Sequence, residues 1–363
     1  MSLAYLSHRS SRWLVGVSAM LALPAAMANE RVQVVTSFSI LADMVDNVGG
    51  DHVDVTSLVA ADGDAHVYSP SPGDARALAN ADLVVFNGLL FEGWMERLIS
   101  ASDYSGGLVT ATDGIEPHSF AEHEEHGHDD HGHDEHGHAD HADEHAGHEH
   151  GNQDPHAWQD MHQAEVYIAN IRDGLISADA DNADEYRANA EQYLHEMAEV
   201  DAEIRALIDE IPSSTSVITG HDSFGYFSSA YGVTFLSPVG LSTEADPSGA
   251  SMAALVDVIE QENVKALFHE NMTNQSIITQ LAEETGLPIA GTLYADALAT
   301  EGEASTYLGM MRHNAQVLHD ALAQPGNHEE HGHEESGHDD HEHSHEHDDH
   351  DHDHDHDHDE HSH

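Results

Sequence analysis

Most of this 363-residue chain alternates between two rhythms of apolar and polar positions. Short runs rich in Val, Ile, Leu and Phe, as in buried strands, are separated by stretches whose apolar residues recur every three or four positions, the helical period. From Arg31 the pattern predicts a strand over RVQVVTSF (31–38), a helix over SILADMVDNVGG ended by Gly49 and Gly50, and a strand at 53–59. It continues with a helix at 71–81 opening on Ser71-Pro72, a strand at 81–88, a helix over EGWMERLIS and a strand at 106–114. After DPHAW (154–158) come two helical stretches. In the second, about 182–211, Tyr186, Tyr193, Met197, Val200, Ile204, Leu207, Ile208 and Ile211 form one apolar stripe closed off by Pro212. Strands then return at 216–220, 233–241, 264–270 and 287–296, with helices from Ser223, at 247–262, at 274–285 and at 305–322.

Strand-helix alternation of this kind builds parallel sheets. The predicted fold class is α/β, with two βα-repeat lobes joined by a long linker helix. The expected division is an N-terminal lobe at 29–177, the linker helix at 178–212 and a C-terminal lobe at 213–326. The alternative reading of the long helix, as an ordinary packed one, stays open.

Three stretches break the rhythm. Residues 1–28 carry Arg9 and Arg12, an apolar run from Trp13 to Leu23 and then Ala26-Met27-Ala28, the pattern of a secretory signal peptide. That predicts export to the periplasm. The run is too short to span a bilayer, and no later segment approaches the ~20 apolar residues a membrane helix needs. Residues 118–150 hold twelve of the 37 histidines and eleven of the 69 acids, and the tail at 327–363 holds fifteen more histidines. Neither tract has apolar surface to bury, so both are expected to be disordered. Imidazole-rich composition of this kind is a metal-binding signal.

Charge narrows the function. Net charge is −59, and with eleven acids in the first tract and sixteen in the second, 42 remain elsewhere against ten Lys and Arg. Such a surface argues against nucleic acid or an anionic membrane as partner. The only lysine is Lys265, and this acidic, lysine-poor composition fits salty surroundings, where self-repulsion is screened. There is no cysteine, so a metal site has to be built from imidazole and carboxylate.

Ligands of open parallel sheets sit beyond the carboxyl ends of the strands. His66, His156, His221 and Asp296 each follow a predicted strand or loop exit in that half of its unit. Singly, each has an ordinary explanation: a turn residue, one more loop histidine, a residue at a helix start, an N-cap. Together, three imidazoles and a carboxylate close a tetrahedral site suited to Zn²⁺, in the cleft between the lobes.

Five segments, four of which carry these residues, GDAHVYSPSPGDARAL, DPHAW, HDSFGYF, LSTEADPS and TLYADAL, resemble in order the motifs of the cluster A-I solute-binding proteins of ABC transporters, of the zinc-binding periplasmic type. The likeness spans about Arg31 to Leu322. It implies two α/β lobes joined by a rigid helix, with metal held in the cleft and passed to a membrane permease. By motif it assigns His66, His156 and His221 as histidine ligands and Asp296 as the last carboxylate. Glu270, in FHENM, matches a carboxylate near the cleft and is read as a supporting or spare ligand. Manganese and iron members usually have a carboxylate where this chain has His221, which favours zinc over manganese. Ala65 stands where a proline often precedes the first histidine. The expected partners are the permease and, as a further candidate, a periplasmic zinc metallochaperone, with the receptor itself a monomer. A zinc hydrolase and a zinc buffer or surface adhesin are competing readings. The hydrolase is disfavoured because Asp296 fills the position that water would need.

Overall fold

The computed structural model describes residues 31–119, 153–240, 243 and 247–323. The signal segment, nearly all of the first histidine tract and the tail lie outside these residues.

The N-terminal lobe contains β1 (Val32–Phe38), α1 (Ser39–Gly49), β2 (Val53–Val59), α2 (Pro72–Ala79), β3 (Leu83–Phe86), α3 (Met95–Ala101) and β4 (Gly107–Thr110). Its strands form a parallel sheet in the order β2-β1-β3-β4. Next come α4 (Met161–Ala178) and α5 (Ala183–Ile208). The C-terminal lobe contains β5 (Ser216–Ile218), α6 (Gly225–Tyr231), β6 (Thr234–Leu236), α7 (Gly249–Gln261), β7 (Val264–Glu270), α8 (Gln275–Thr285), β8 (Ile289–Leu293) and α9 (Tyr307–Leu322). It repeats the plan, with a parallel sheet ordered β6-β5-β7-β8. Two parallel-sheet lobes are thus present, as the alternation predicts.

The central strand β1 is buried at every position but Gln33, because helices cover both faces of a parallel sheet. α2 begins where Ser71-Pro72 predicts. Gly73 N–H donates to Ser71 Oγ, and Asp74 accepts from Ser71 N–H at 2.6 Å, a reciprocal cap.

The 26 residues of α5 span about 39 Å at 1.5 Å per residue. Its stripe of Tyr186, Ala190, Tyr193, Met197, Val200, Ile204 and Ile208 is buried. Near its start, Asn189 donates to the Val48 carbonyl of the N-terminal lobe. Near its end, Arg205 donates to the Ala230 carbonyl and Asp201 accepts from Tyr231 in the C-terminal lobe. The helix is thus anchored to one lobe near its start and to the other near its end.

The structure corrects several boundaries. The helix expected over EGWMERLIS starts only at Met95, because the Glu92 side chain turns inward to accept from Ser37 Oγ at 2.5 Å, Asn87 N–H at 2.7 Å and Gly88 N–H at 3.2 Å. β3 stops at Phe86 for the same reason, since the next two N–H groups belong to that carboxylate. The helix expected from Ser223 begins at Gly225.

Candidate metal centre

Five strand exits meet between the lobes. β2 runs out into the loop carrying His66, β4 into the segment that leads to His156, and β5 into Gly220 and His221. β7 ends on Glu270 itself, and β8 is followed three residues later by Asp296. Chemistry converges there because every parallel strand points its carboxyl end to the same side.

Each of His66, His156, His221 and Asp296 offers one ligand atom, and these atoms all lie within 4.8 Å of one another. All four residues are buried. His66 Nε2 lies 3.3 Å from His156 Nε2 and 3.2 Å from Asp296 Oδ2. His221 Nε2 lies 3.0 Å from Asp296 Oδ2, and His156 Nε2 lies 3.6 Å from Asp296 Oδ1. A tetrahedral ion with bonds of ~2.0–2.1 Å sets its donors about 3.3–3.4 Å apart, and the separations here bracket that spacing.

Two of the imidazoles are held from behind in the same way. His156 donates through its backbone N–H (3.0 Å) and its Nδ1 (2.7 Å) to one oxygen, Asp154 Oδ1. His221 donates its backbone N–H to Glu270 Oε1 (3.0 Å) and its Nδ1 to Oε2 (2.5 Å). A carboxylate on Nδ1 fixes the tautomer that presents a lone pair at Nε2 and makes that nitrogen more basic. Glu270 therefore stands behind His221. Asp154 was not among the expected residues, although its D-x-H spacing is an Asx-turn signal, and Gly225 makes room for it: a Cβ there would meet Asp154 Oδ2 at 2.5 Å.

His66 differs. Asp64 Oδ1 accepts its backbone N–H at 2.9 Å, but its buried Nδ1 has no hydrogen-bond partner. Ring packing aligns it instead, with Phe91 at 4.7 Å, and Trp94 Nε1 donates to the neighbouring Ala65 carbonyl at 2.8 Å.

Further polar contacts brace the rest. Asn87 donates to the Pro155 carbonyl just before His156 and accepts from Tyr167. Burial raises the pKa of Glu92, which holds the turn at 87–88, against the opposing effect of the hydrogen bonds it accepts. Trp158 Nε1 and Gln159 Nε2 both donate to the Ala295 carbonyl, tying DPHAW to the residue before Asp296.

Electrostatics follow from the packing. Burial opposes charge on His221, but Glu270 and Asp296 beside it hold its pKa well above the usual histidine value. Burial likewise opposes charge on Asp296, but His221 and His156, with hydrogen bonds from His221 and His66, hold its carboxyl well below the usual range. Burial pulls His66 down, with Asp296 working against it. Without a cation the site thus favours an ionised Asp296 and a protonated His221.

The model of the family described as zinc-uptake complex component A, periplasmic (ZnuA), matches residues 34–321. The chain belongs to this family. Among relatives, the manganese-binding lipoprotein MntA of Halalkalibacterium halodurans is 31% identical over 298 residues, covering 81% of this chain and 90% of the relative. The periplasmic zinc binding protein TroA from Treponema pallidum superposes with a TM-score of 0.69 at 26% identity, covering 81% of this chain and 100% of that one. A mutant Mn-bound periplasmic metal binding protein from Candidatus Liberibacter asiaticus gives 0.68 at 28% identity, covering 80% and 100%. The two-lobed fold of this ZnuA-family chain matches that of TroA. No helix among its described residues is long and apolar enough to cross a membrane.

Proposed function

We propose that this chain is the metal-capturing receptor of an ABC importer. In this reading it binds one divalent transition-metal ion in the periplasm on His66, His156, His221 and Asp296 and hands it to the membrane permease. The observation that carries the reading is the convergence of three imidazole Nε2 atoms and a carboxylate, all buried, with His156 and His221 held from behind by Asp154 and Glu270. Capture and release need nothing more than such a site.

Zinc is the cargo this donor set favours, because a third imidazole in place of a carboxylate moves preference from harder Mn²⁺ towards Zn²⁺. Manganese is the second reading. It is supported by the names of the MntA relative and the Mn-bound neighbour, and by the orientation of Asp296, both of whose oxygens lie near imidazole nitrogens, at 3.0, 3.2 and 3.6 Å. A carboxylate that binds through both oxygens raises the coordination number above four, as Mn²⁺ accepts.

Uptake of labelled zinc and of labelled manganese, each supplied alone at limiting concentration to cells with and without this chain, separates these readings, because at equilibrium a site of this kind holds Zn²⁺ more tightly than Mn²⁺ whichever is the cargo. The expected result is zinc uptake that depends on the chain. Chain-dependent uptake of manganese alone supports the second reading, and uptake of neither contradicts both.

A further inference from the structure

The loop that delivers His66 is fastened to the opposite lobe at Asp62 and Asp64, and Asp62 makes most of the bonds. Asp62 lies four residues before His66 with φ of +58°, in the left-handed region that Asp tolerates better than most residues. From that turn it makes three bonds into the C-terminal lobe. Its N–H donates to the Leu298 carbonyl at 2.8 Å, its Oδ1 accepts from Asn271 Nδ2 at 2.9 Å, and its Oδ2 accepts from Thr300 N–H at 3.3 Å.

The partners are not arbitrary surface groups. Asn271 follows Glu270, the carboxylate behind His221, and its Nδ2 also donates to the carbonyl of Ala297, which follows Asp296. Two acceptors around one Nδ2 fix which way the amide faces. Asp62 therefore grips the exits of β7 and β8, at the residue next to His221's support and at residues two and four positions after Asp296. A lesser contact, Thr243 Oγ1 to Asp64 Oδ2 at 2.6 Å, runs across the same gap. The His66 ring has no hydrogen bond at Nδ1, whereas His156 and His221 each have a carboxylate on theirs, so the placing of His66 depends more on its loop.

We propose that the Asp62–Asn271 pair is a latch that keeps the His66 loop closed over the metal and so sets how fast the ion leaves. This rests on the metal-receptor reading above. Asp62 touches no ion and acts through the position of His66, so breaking the latch speeds release while leaving the number of tight sites and the rate of entry nearly unchanged. Losing the two side-chain bonds corresponds to about a tenfold faster release, taking each as a typical hydrogen bond.

The test is release of Zn²⁺ from the full chain into excess chromogenic chelator, reading the slowest single equivalent so that ions on the histidine tracts are excluded. Asp62→Gly removes the side-chain bonds and keeps the left-handed turn, whereas Asp62→Asn keeps the turn and the acceptor for Asn271. Expected are about tenfold faster release for Asp62→Gly, an intermediate rate for Asp62→Asn, and no further gain when Asn271→Ala is added to Asp62→Gly. Unchanged release from Asp62→Gly, or fully additive effects of the two substitutions, overturns the latch alone. A wild-type chain with no slowly released equivalent overturns the receptor reading and the latch with it.

Discussion

His221 and Glu270 are joined twice, backbone N–H to Oε1 at 3.0 Å and ring Nδ1 to Oε2 at 2.5 Å, although they lie 49 residues apart, at the exits of the neighbouring strands β5 and β7. Asp154 makes the same double contact to His156 over a separation of two residues. In both cases one carboxylate sets the position and the tautomer of an imidazole whose other nitrogen faces the centre of the site.

Replacing either carboxylate by its amide disturbs that tautomer, because an amide nitrogen turned towards Nδ1 invites the imidazole proton to Nε2, where metal must bind. Glu270→Gln and Asp154→Asn are each expected to weaken Zn²⁺ binding 10- to 100-fold while the fold is retained. Competition against a chelator of known affinity measures it, and unchanged affinity in both variants contradicts the role given to these carboxylates.

Loading should release a proton. In the metal-free protein Glu270 and Asp296 outweigh burial and keep His221 protonated above the usual histidine pKa, whereas a bound metal requires it neutral. Affinity therefore falls as the pH is lowered through the neutral range, by up to about tenfold per unit for one displaced proton. Calorimetry in buffers of different ionisation enthalpy counts that proton at pH 7. The count should be near one, and it should drop in Glu270→Gln.

The alternation of apolar runs and helical periods makes both sheets legible in the sequence, since a buried parallel strand has to read as continuous apolar residues. The four converging side chains are legible through their motifs and their places at strand exits. Strand ends are less so: Phe86 ends β3 because the backbone beyond it turns to Glu92, a contact that periodicity does not report. The support of His66 and His156 had a local signal, the Asp two residues earlier in GDAH and DPH. By contrast, the bonds of Asp62 to Asn271, Leu298 and Thr300 join parts of the chain more than 200 residues apart, and only the folded arrangement brings them together.

Packing along α5 is open to a stability test. Met197 is 1% exposed in the middle of the buried stripe, and truncation there leaves a cavity among residues that cannot fully close it. Met197→Ala is expected to lower stability by ~2–5 kcal/mol. Denaturant unfolding of the metal-free protein measures it, and a loss under about 0.5 kcal/mol, the range of exposed sites, contradicts the packing described.

The described residues that flank the first histidine tract lie close to the site. Ser119 bridges Gln153, the His118 carbonyl accepts from Asp154 N–H, and the His118 ring stacks on Tyr226 at 3.9 Å. Metal bound weakly by the tract would be tethered near His156 at high effective concentration. Removing residues 120–152 and joining the ends with a short Gly-Ser link should slow Zn²⁺ loading at low metal and leave the equilibrium affinity of the core nearly unchanged. Stopped-flow loading at low and high salt checks this, and equal rates for intact and shortened protein at both salts contradict it.

The central claim is that one ion sits between the two lobes on His66, His156, His221 and Asp296. Anomalous diffraction at the zinc edge from crystals of the loaded protein tests it most directly. The predicted result is one strong peak within ~2.0–2.2 Å of His66 Nε2, His156 Nε2, His221 Nε2 and an Asp296 oxygen. A loaded crystal with no peak among these four residues, or a peak bound by Glu270 in place of His221, contradicts it.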